Sequence, residues 1–486
     1  MESTPIDEDG WESRRRRDYA YTTPGPHPDF DSAIIRLGLP GIVRAVVVDT
    51  AFFTGNYPAA CAIEGASIEG HPSLADLLSD KVEWTEILPR AQATLKGGSK
   101  NYFEIALGSA GQRFTHLRFH IYPDGGVARL RVHGDVMPDA RWMGSRSRPQ
   151  LVDLAAAEHG ALVVSCNDMF FGSRHNLIMP GRGVNMGDGW ETKRGRRPGP
   201  DWVVLRLAAE GTLERAIVDT LHFKGNAPDW AALDVAHVDP GAPDPDGSKD
   251  EGWIPLLPKT SLQPHTQHAF EQELAHGPGA SVAATHVRMR IWPDGGISRL
   301  RLLGIVSEQG RERSGLDYLR AMPDPELAAA LTSCCGSEGW VAAMQAERRT
   351  SPASFASLAA LKARAAELWH ALGTKDWDEA LRAHPRIGEK KAEAAQSATA
   401  ATWSKHEQAS VDTASQATKD ELHKTNVAYE EKFARIYIVC ATGKSASEML
   451  AIARERMQND PETELRRAVE EQRRITDLRI EKLVLR

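Results

Sequence analysis

Cysteine is scarce in this chain. Five residues in 486, Cys61, Cys166, Cys334, Cys335 and Cys440, are too few and too irregularly spaced for a disulfide framework or a zinc site. Cys334 and Cys335 are adjacent rather than spaced as CxxC, so the five read as reduced, buried thiols in a cytoplasmic protein. No apolar run approaches the roughly 18 residues of a membrane span, and the polar opening MESTPIDEDG does not read as a signal peptide. Nor does the chain end in a peroxisomal S-K-L address; it ends Leu485-Arg486. A formal charge of −7 lacks the positive excess of a nucleic-acid coat. What remains, 41% hydrophobic and 26% charged residues, is the composition of a soluble globular protein, and the length suits about three domains.

Two of these domains are copies. Asp49-Thr50 recurs as Asp219-Thr220, and THLRFHIYPDGGVARLRVHG from Thr115 recurs as THVRMRIWPDGGISRLRLLG from Thr285, both 170 positions on. DGWESRRRR from Asp9 matches DGWETKRGR from Asp188 at an offset of 179, which fits a Pro-rich insertion in the first copy. So long a period means duplicated domains rather than a solenoid. Each copy reads as all-β. Val287, Met289 and Ile291 alternate with His286, Arg288 and Arg290; Pro293-Asp294-Gly295-Gly296 supplies a turn; Leu300 and Leu302 return inward against Arg299 and Arg301. The expectation is a β-sandwich or jelly roll per repeat, over 1–150 and 151–306. Residues 307–320 read as a polar linker, and 321–486, rich in Ala, Glu, Lys and Arg at helical spacing, as an all-α domain.

The second copy resembles allantoicase through NLIMPGRGVNMGDGWETKRGRRPGPDWVVLRLA (176–208) and ERAIVDTLHFKGNAPD (214–229); DGWESRR, VVVDTAFFTGNYP and YPDGG extend the likeness through the first, over residues 9–306. The resemblance implies two jelly-roll repeats and hydrolysis of allantoate to (S)-ureidoglycolate and urea, an amidine hydrolase reaction. It also implies a longer leader before the first DGWE than MESTPIDE, so the first repeat is expected to be shortened and to leave an open sheet edge.

Urea release needs a carboxylate anchor, a proton donor to the leaving nitrogen and a base for water. Arg suits the anchor; His, Asp and Glu suit the proton work. Asp219, Thr220, His222, Lys224 and Asn226 leave a strand end together, and Asp219 with His222 are the catalytic candidates. In the first copy Phe52 and Thr54 replace His222 and Lys224, whereas Asp219 and Thr220 recur, so those two are also explained as turn caps. Glu191 and Arg194 are further binding candidates, with a structural salt bridge beneath Trp190 as the alternative. Asn176 and Arg182 come from the NLIMPGRG block, and Arg288 from a row whose other reading is a solvated outer face.

The third domain resembles OHCU (2-oxo-4-hydroxy-4-carboxy-5-ureidoimidazoline) decarboxylase through CCGSEGW, HPRIG, SKHEQA, TNVAYEEKFARIYIVCATGKS, NDPETELRRA and ITDLRIEKL. The resemblance implies a carboxy-lyase forming (S)-allantoin, with His384 and Glu407 catalytic and Gln408 and Arg479 binding substrate. A helix-end cap for His384 and a surface ion pair for Arg479 are the plain alternatives. Pro385 disfavours a mid-helix setting for His384. No metal or other cofactor is expected; the partners are the small ureides, without nucleic acid or membrane, and self-association stays open. The whole reads as a bifunctional enzyme of purine breakdown whose two steps are separated by the opening of allantoin. The rival is a working decarboxylase carrying a noncatalytic β module.

Overall fold

In the computed structural model the described residues are 10–15, 29–68, 70–106, 111–195, 199–275, 279–387, 399, 402–404 and 414–485. The chain divides into two compact units, Met1–Ser314 and Gly315–Arg486.

The first unit is all β. Its first repeat runs β1 (Trp11–Glu12), β2 (Asp31–Asp49), β3 (Ala60–Ala66), β4 (Thr85–Leu88), β5 (Lys100–Glu104), β6 (Arg113–Tyr122), β7 (Gly126–Val127) and β8 (Arg129–Val136). The second runs β9 (Val152–Asp153), β10 (Leu162–Cys166), β11 (Trp190–Glu191), β12 (Asp201–Asp219), β13 (Trp230–Ala236), β14 (Ile254–Ser261), β15 (Gln267–Phe270), β16 (Ala284–Trp292), β17 (Gly296–Ile297) and β18 (Arg299–Val306). The 170-residue offset survives in the fold, since β2, β3, β7 and β8 have counterparts at that distance in β12, β13, β17 and β18.

One long strand organises each repeat. The first part of β12 pairs with β16 and β10; after a break in register between Arg206 and Gly211 its second part pairs with β18 and β15. The break needs a residue without a side chain, because a Cβ on Gly211 would lie 2.4 Å from the Ile305 carbonyl. Val203, Leu205, Leu213, Ala216 and Val218 of β12 pack with Val287, Met289, Ile291, Leu300 and Leu302 in one core. The period-two reading therefore held for the inward face. Among the described residues no strand of the first repeat takes the places of β9 and β10 beside β8 and β2.

The reading of Arg288 and Arg299 as a solvated face did not hold. Both are buried. Arg288 donates to Asp234 (2.9 Å), to the Gly247 and Lys249 carbonyls and to Asp250, and lies 5.1 Å from the Trp253 ring. The loop carrying Trp253 lies far from β16 in sequence and covers what the alternation alone assigns to water.

Residues 307–320 are not a linker. Glu308–Ala321 forms helix α1. Its polar look hides fixed partners: the buried Arg311 donates to the Met143 and Gly144 carbonyls at 2.9 Å, while Leu316 and Leu319 are buried at i, i+3 spacing.

The second unit continues with α2 (Asp324–Cys334), α3 (Glu338–Thr350), α4 (Leu358–His370), α5 (Thr374–Arg382), α6 (Gln416–Phe433), α7 (Ala446–Arg456) and α8 (Pro461–Val484). Asp460 caps α8 by accepting from the Glu462 and Thr463 amides, and Pro461 fills the first position, where no amide is needed. Trp340 and Trp369 lie in the interior with their indole N–H groups on the carbonyls of Ala365 and Val469. All five cysteines are free, and burial pushes the Cys61 and Cys335 thiols up to about 12. No helix among the described residues is long and apolar enough to cross a membrane.

The carboxylate of Glu464 is fully buried. It takes Arg456 through Nε (2.8 Å) and Nη2 (2.5 Å), the Tyr429 hydroxyl, and Asn459 Nδ2 at 2.7 Å. Arg456→Met leaves that carboxylate without its cation and should cost about 3–5 kcal/mol, read as a downward shift of the urea midpoint of the helical unit. A shift below a tenth of that size would show the carboxylate to be solvated.

Candidate functional site

The end of β12 builds the first site. Asp219 is in register with Arg299 of β18 and Gln267 of β15, so three polar residues stand side by side at the end of β12. The Leu221 amide donates to Asp219 Oδ1 at 3.0 Å, as the Ala51 amide does to Asp49. The Thr220 hydroxyl donates toward the Gln263 and Thr266 carbonyls (2.7 and 3.0 Å) and accepts the Thr266 amide at 2.9 Å. Beyond it His222 has φ 74°, the left-handed region. Phe223 is buried against Gly296, where a Cβ would stand 1.9 Å from its ring.

Arg182 crosses this turn from the 174–188 segment. Its Nε and Nη2 meet both oxygens of Asp219 at 3.1 and 3.3 Å. The carboxylate is buried while the guanidinium is half exposed, so a fixed cation is offered to solvent on a buried counter-charge. His222 Nε2 lies 2.9 Å from the Gly183 carbonyl. A carbonyl only accepts, so Nε2 carries the proton and Nδ1 of the neutral ring is a base. The His222 amide in turn donates to His265 Nδ1 at 2.9 Å. Asp188 receives the Val184 amide (3.0 Å) and Arg299 Nη2 (2.9 Å). Burial would push its carboxyl up; those two donors and the nearby His222 outweigh it and hold Asp188 below the usual carboxylate range. Asn226 Nδ2 donates to Glu191 Oε1 at 2.6 Å.

The second site lies in the helical unit. A cavity is lined by His384, Pro385, Ile387, Ser404, residues 437–442, Ile475 and Leu478; its described walls enclose ≈ 20 Å³, room for roughly one water. The His384 amide closes the last turn of α5 on the Leu381 carbonyl while its side chain lines the cavity. Both readings of this residue thus describe one position. Arg479 is buried, with Nη2 on Ser404 Oγ at 2.9 Å and Nη1 on the Ser333 carbonyl at 3.4 Å. A surface ion pair is excluded; Ser404, in the cavity wall, joins Arg479 to the His384 site.

Two comparisons decide the family. A model described as allantoicase repeat matches residues 2–137 and 152–307, and one described as OHCU decarboxylase matches 320–481. A protein of Stutzerimonas stutzeri described as "Probable allantoicase" is 47% identical over 300 residues, 61% of this chain and 82% of its own. The chain belongs to the allantoicase family. It is extended by an OHCU decarboxylase domain, which makes it a fused bifunctional enzyme of purine catabolism with hydrolase and decarboxylase parts. Among solved structures it is similar to allantoicase from Saccharomyces cerevisiae (32% identity, 62% of this chain, 84% of that chain, TM-score 0.49). It is also similar to OHCU decarboxylase in the presence of (S)-allantoin (33% identity, 32% of this chain, 95% of that chain, TM-score 0.27).

Within the allantoicase half the structure gathers Asp219, Arg182, His222, Asn226 and Glu191 around one strand end. Lys224 is exposed there and, among the described residues, forms no ion pair. Four expectations change. Thr220 is fully buried with its hydroxyl spent on backbone, so it shapes the turn and does not face a ligand. Arg288 sits on β16 in register with Val204, in the first part of β12 and away from Asp219 at its end, and is held by Asp234. Asn176 donates to the Gly187 and Gly189 carbonyls and so braces the loop under Asp188. Arg194 is exposed and makes no bond to this group. Sequence reasoning missed Asp188 and His265 as members; the recurrence of Asp188 as Asp9 was the available signal for one, and His265 carried none. Glu407 and Gln408 lie outside the described residues. Among the described residues no group of three or more His, Cys, Asp or Glu could hold a metal ion.

Thr220→Val strands the Gln263 carbonyl and the Thr266 amide, the Thr266 carbonyl keeping the Thr220 amide, and should destabilise the β unit by about 1–3 kcal/mol, measured by urea denaturation; an unchanged midpoint would make the hydroxyl dispensable. Because the folded-state pKa of Asp188 is depressed, its contribution is complete above the ordinary carboxylate value and is lost as pH falls through the depressed one. Hydrogen exchange at the Val184 amide should therefore accelerate only at strongly acid pH, and at a higher pH in Arg299→Gln.

Proposed function

We propose that the hydrolase reaction is the conversion of allantoate and water to (S)-ureidoglycolate and urea at the end of β12, and that the decarboxylase reaction converts OHCU to (S)-allantoin at His384. In the first, a carbon–nitrogen bond to one ureido group breaks, water oxygen takes its place, and the leaving nitrogen gains a proton. Arg182, oriented by Asp219, anchors the substrate carboxylate through its exposed face. His222 Nδ1 takes the proton of the attacking water. Glu191 and Asn226, paired to each other, and Lys224 bind the ureido arms. One observation carries this reading: His222 stands on a backbone that both repeats build, and only the second repeat places an imidazole there, with its proton fixed on the Gly183 side.

In the decarboxylation the bond from the hydroxyl-bearing ring carbon to the carboxylate breaks and carbon dioxide leaves; the electron pair enters the imidazoline ring, the adjacent ureido-bearing carbon gains a proton, and the hydroxyl becomes the carbonyl of allantoin. His384 handles the proton with Glu407; Arg479, held by Ser404 and Ser333, and Gln408 orient the anion. The substrate must widen the described walls, which leave ≈ 20 Å³. We place the enzyme in the cytoplasm, acting on small ureides and able to self-associate.

His222→Phe tests the first assignment without disturbing the turn, since Phe52 occupies the matching position at φ 71°. Urea release from allantoate should fall by about 10²–10⁴-fold while decarboxylation is unchanged. His384→Ala should do the reverse, removing the accelerated appearance of optically active allantoin in polarimetry. Unchanged rates in either variant sink the corresponding assignment.

A further inference from the structure

In the second repeat a carboxylate is clamped between a guanidinium and an imidazole. Arg206 donates to Asp244 through Nε (3.1 Å) and Nη2 (2.8 and 2.9 Å to the two oxygens), and His286 Nε2 lies 3.0 Å from Oδ1. The other ring nitrogen of His286 sits 2.9 Å from the Thr285 hydroxyl. A carboxylate accepts only, so Nε2 is the donor and Nδ1 faces the hydroxyl.

The first repeat rebuilds this clamp without its carboxylate. Arg36 and His116 stand 170 positions before Arg206 and His286. Thr115 Oγ1 lies 2.9 Å from His116 Nδ1 and accepts the Ile68 amide at 2.8 Å, as Thr285 accepts that of Val238 at 2.9 Å. The imidazole is therefore held in the same way, and among the described residues its Nε2 meets no partner. In the second repeat Asp244 meets that nitrogen; 170 positions earlier stands the exposed Leu74. In place of the carboxylate is a cavity of ≈ 400 Å³ lined by Arg36, Arg113, Thr115, His116, Asp139 and Arg141 among others. Arg36 meets His71 Nδ1 at 2.9 Å, and no acidic residue pairs with Arg36 or His116 among the described residues. Asp139 does not fill the gap, because it is spent on Arg141, whose amide and guanidinium it takes at 2.8 and 2.9 Å. Arg113 is turned to the Met137 carbonyl and the Ser67 hydroxyl.

We propose that the first repeat carries a binding pocket of its own for a small carboxylate, which Arg36 and His116 hold where the second repeat holds the side chain of Asp244. The ligand class follows from the occupant the protein uses itself: a planar two-oxygen anion matched to a guanidinium fork and one imidazole N–H. The volume admits molecules of the size of glycolate and larger, which includes carboxylates made by or fed to a ureide hydrolase.

The test is equilibrium dialysis of the full chain against labelled glycolate at low ionic strength. Arg36 is exposed, so Arg36→Gln leaves the fold intact; it should remove one equivalent of bound glycolate or weaken it about tenfold or more, the size of one charge-assisted pair. Asp244→Ala should add one equivalent by emptying the matching clamp in the second repeat. Turnover of both substrates should be unchanged in Arg36→Gln, and glycolate binding at this pocket should persist in His222→Phe and His384→Ala, which separates this pocket from the proposed catalytic sites. Glycolate binding of unaltered number and affinity in Arg36→Gln overturns the proposal. So does displacement of the glycolate by inorganic phosphate at lower concentration than by acetate, which would make this a phosphate site.

Discussion

A single hydroxyl holds the end of β12 together. Thr220 Oγ1 ties the exit of β12 to residues 263–266 by accepting one amide and reaching two carbonyls, and it does so without contact with water. Left-handed backbone at a residue with a side chain costs of order 1 kcal/mol or more, so residue 222 adopts it only because the chain is pinned on both sides. On the near side are Thr220 and the Asp219 carboxylate that caps Leu221; on the far side is Phe223, seated on Gly296. Arg182, His222 and Asn226 inherit their positions from that clamp.

The duplicated repeat acts as an internal control on this account. Thr50, Asp49 and Phe53 build the same turn, with the Thr50 hydroxyl on the Lys96 and Ser99 carbonyls, and Phe52 takes the same backbone as His222. The frame is shared; the chemistry placed on it is not. Asp49 meets Arg131 from its own sheet, whereas Asp219 meets Arg182 from the 174–188 segment. The recurring Glu12–Asn56 and Glu191–Asn226 pairs belong to both copies, which makes them part of the frame as well as neighbours of the imidazole.

In the helical domain polar groups are buried for position. The Glu464, Arg456, Tyr429 and Asn459 cluster ties α6, α7 and α8 to one another through charge-assisted bonds in a dry interior. Arg479, farther along α8, uses the same device on a smaller scale: Ser333 and Ser404 fix its guanidinium beside the wall that holds His384. Ile438, Val439 and Ile475 keep that wall apolar.

Much of this was legible in the chain itself, for reasons that are local. Alternation at Val287, Met289 and Ile291 marks a strand because one face must leave water, and a matched Asp-Thr pair 170 residues on marks a second copy of the same frame. The motif residues also offered Asp219 and His222 as catalytic candidates and Arg182 as a binding one, and the fold brings the three to one strand end. Other features depended on distant partners. Helix α1 looked like a linker because Arg311 reads as a solvated charge until the Met143 and Gly144 carbonyls are placed beside it. Arg288 looked like an outer-face cation until Asp234 and the Trp253 loop closed over it. Thr220 looked like a ligand contact until residues 263–266 claimed its hydroxyl. The sequence by itself determined which face of each element is apolar and which residue types stand at each strand end. Only the tertiary structure decided which polar groups remain open to a ligand, because that depends on where carbonyls and carboxylates some 40 to 170 positions away come to rest.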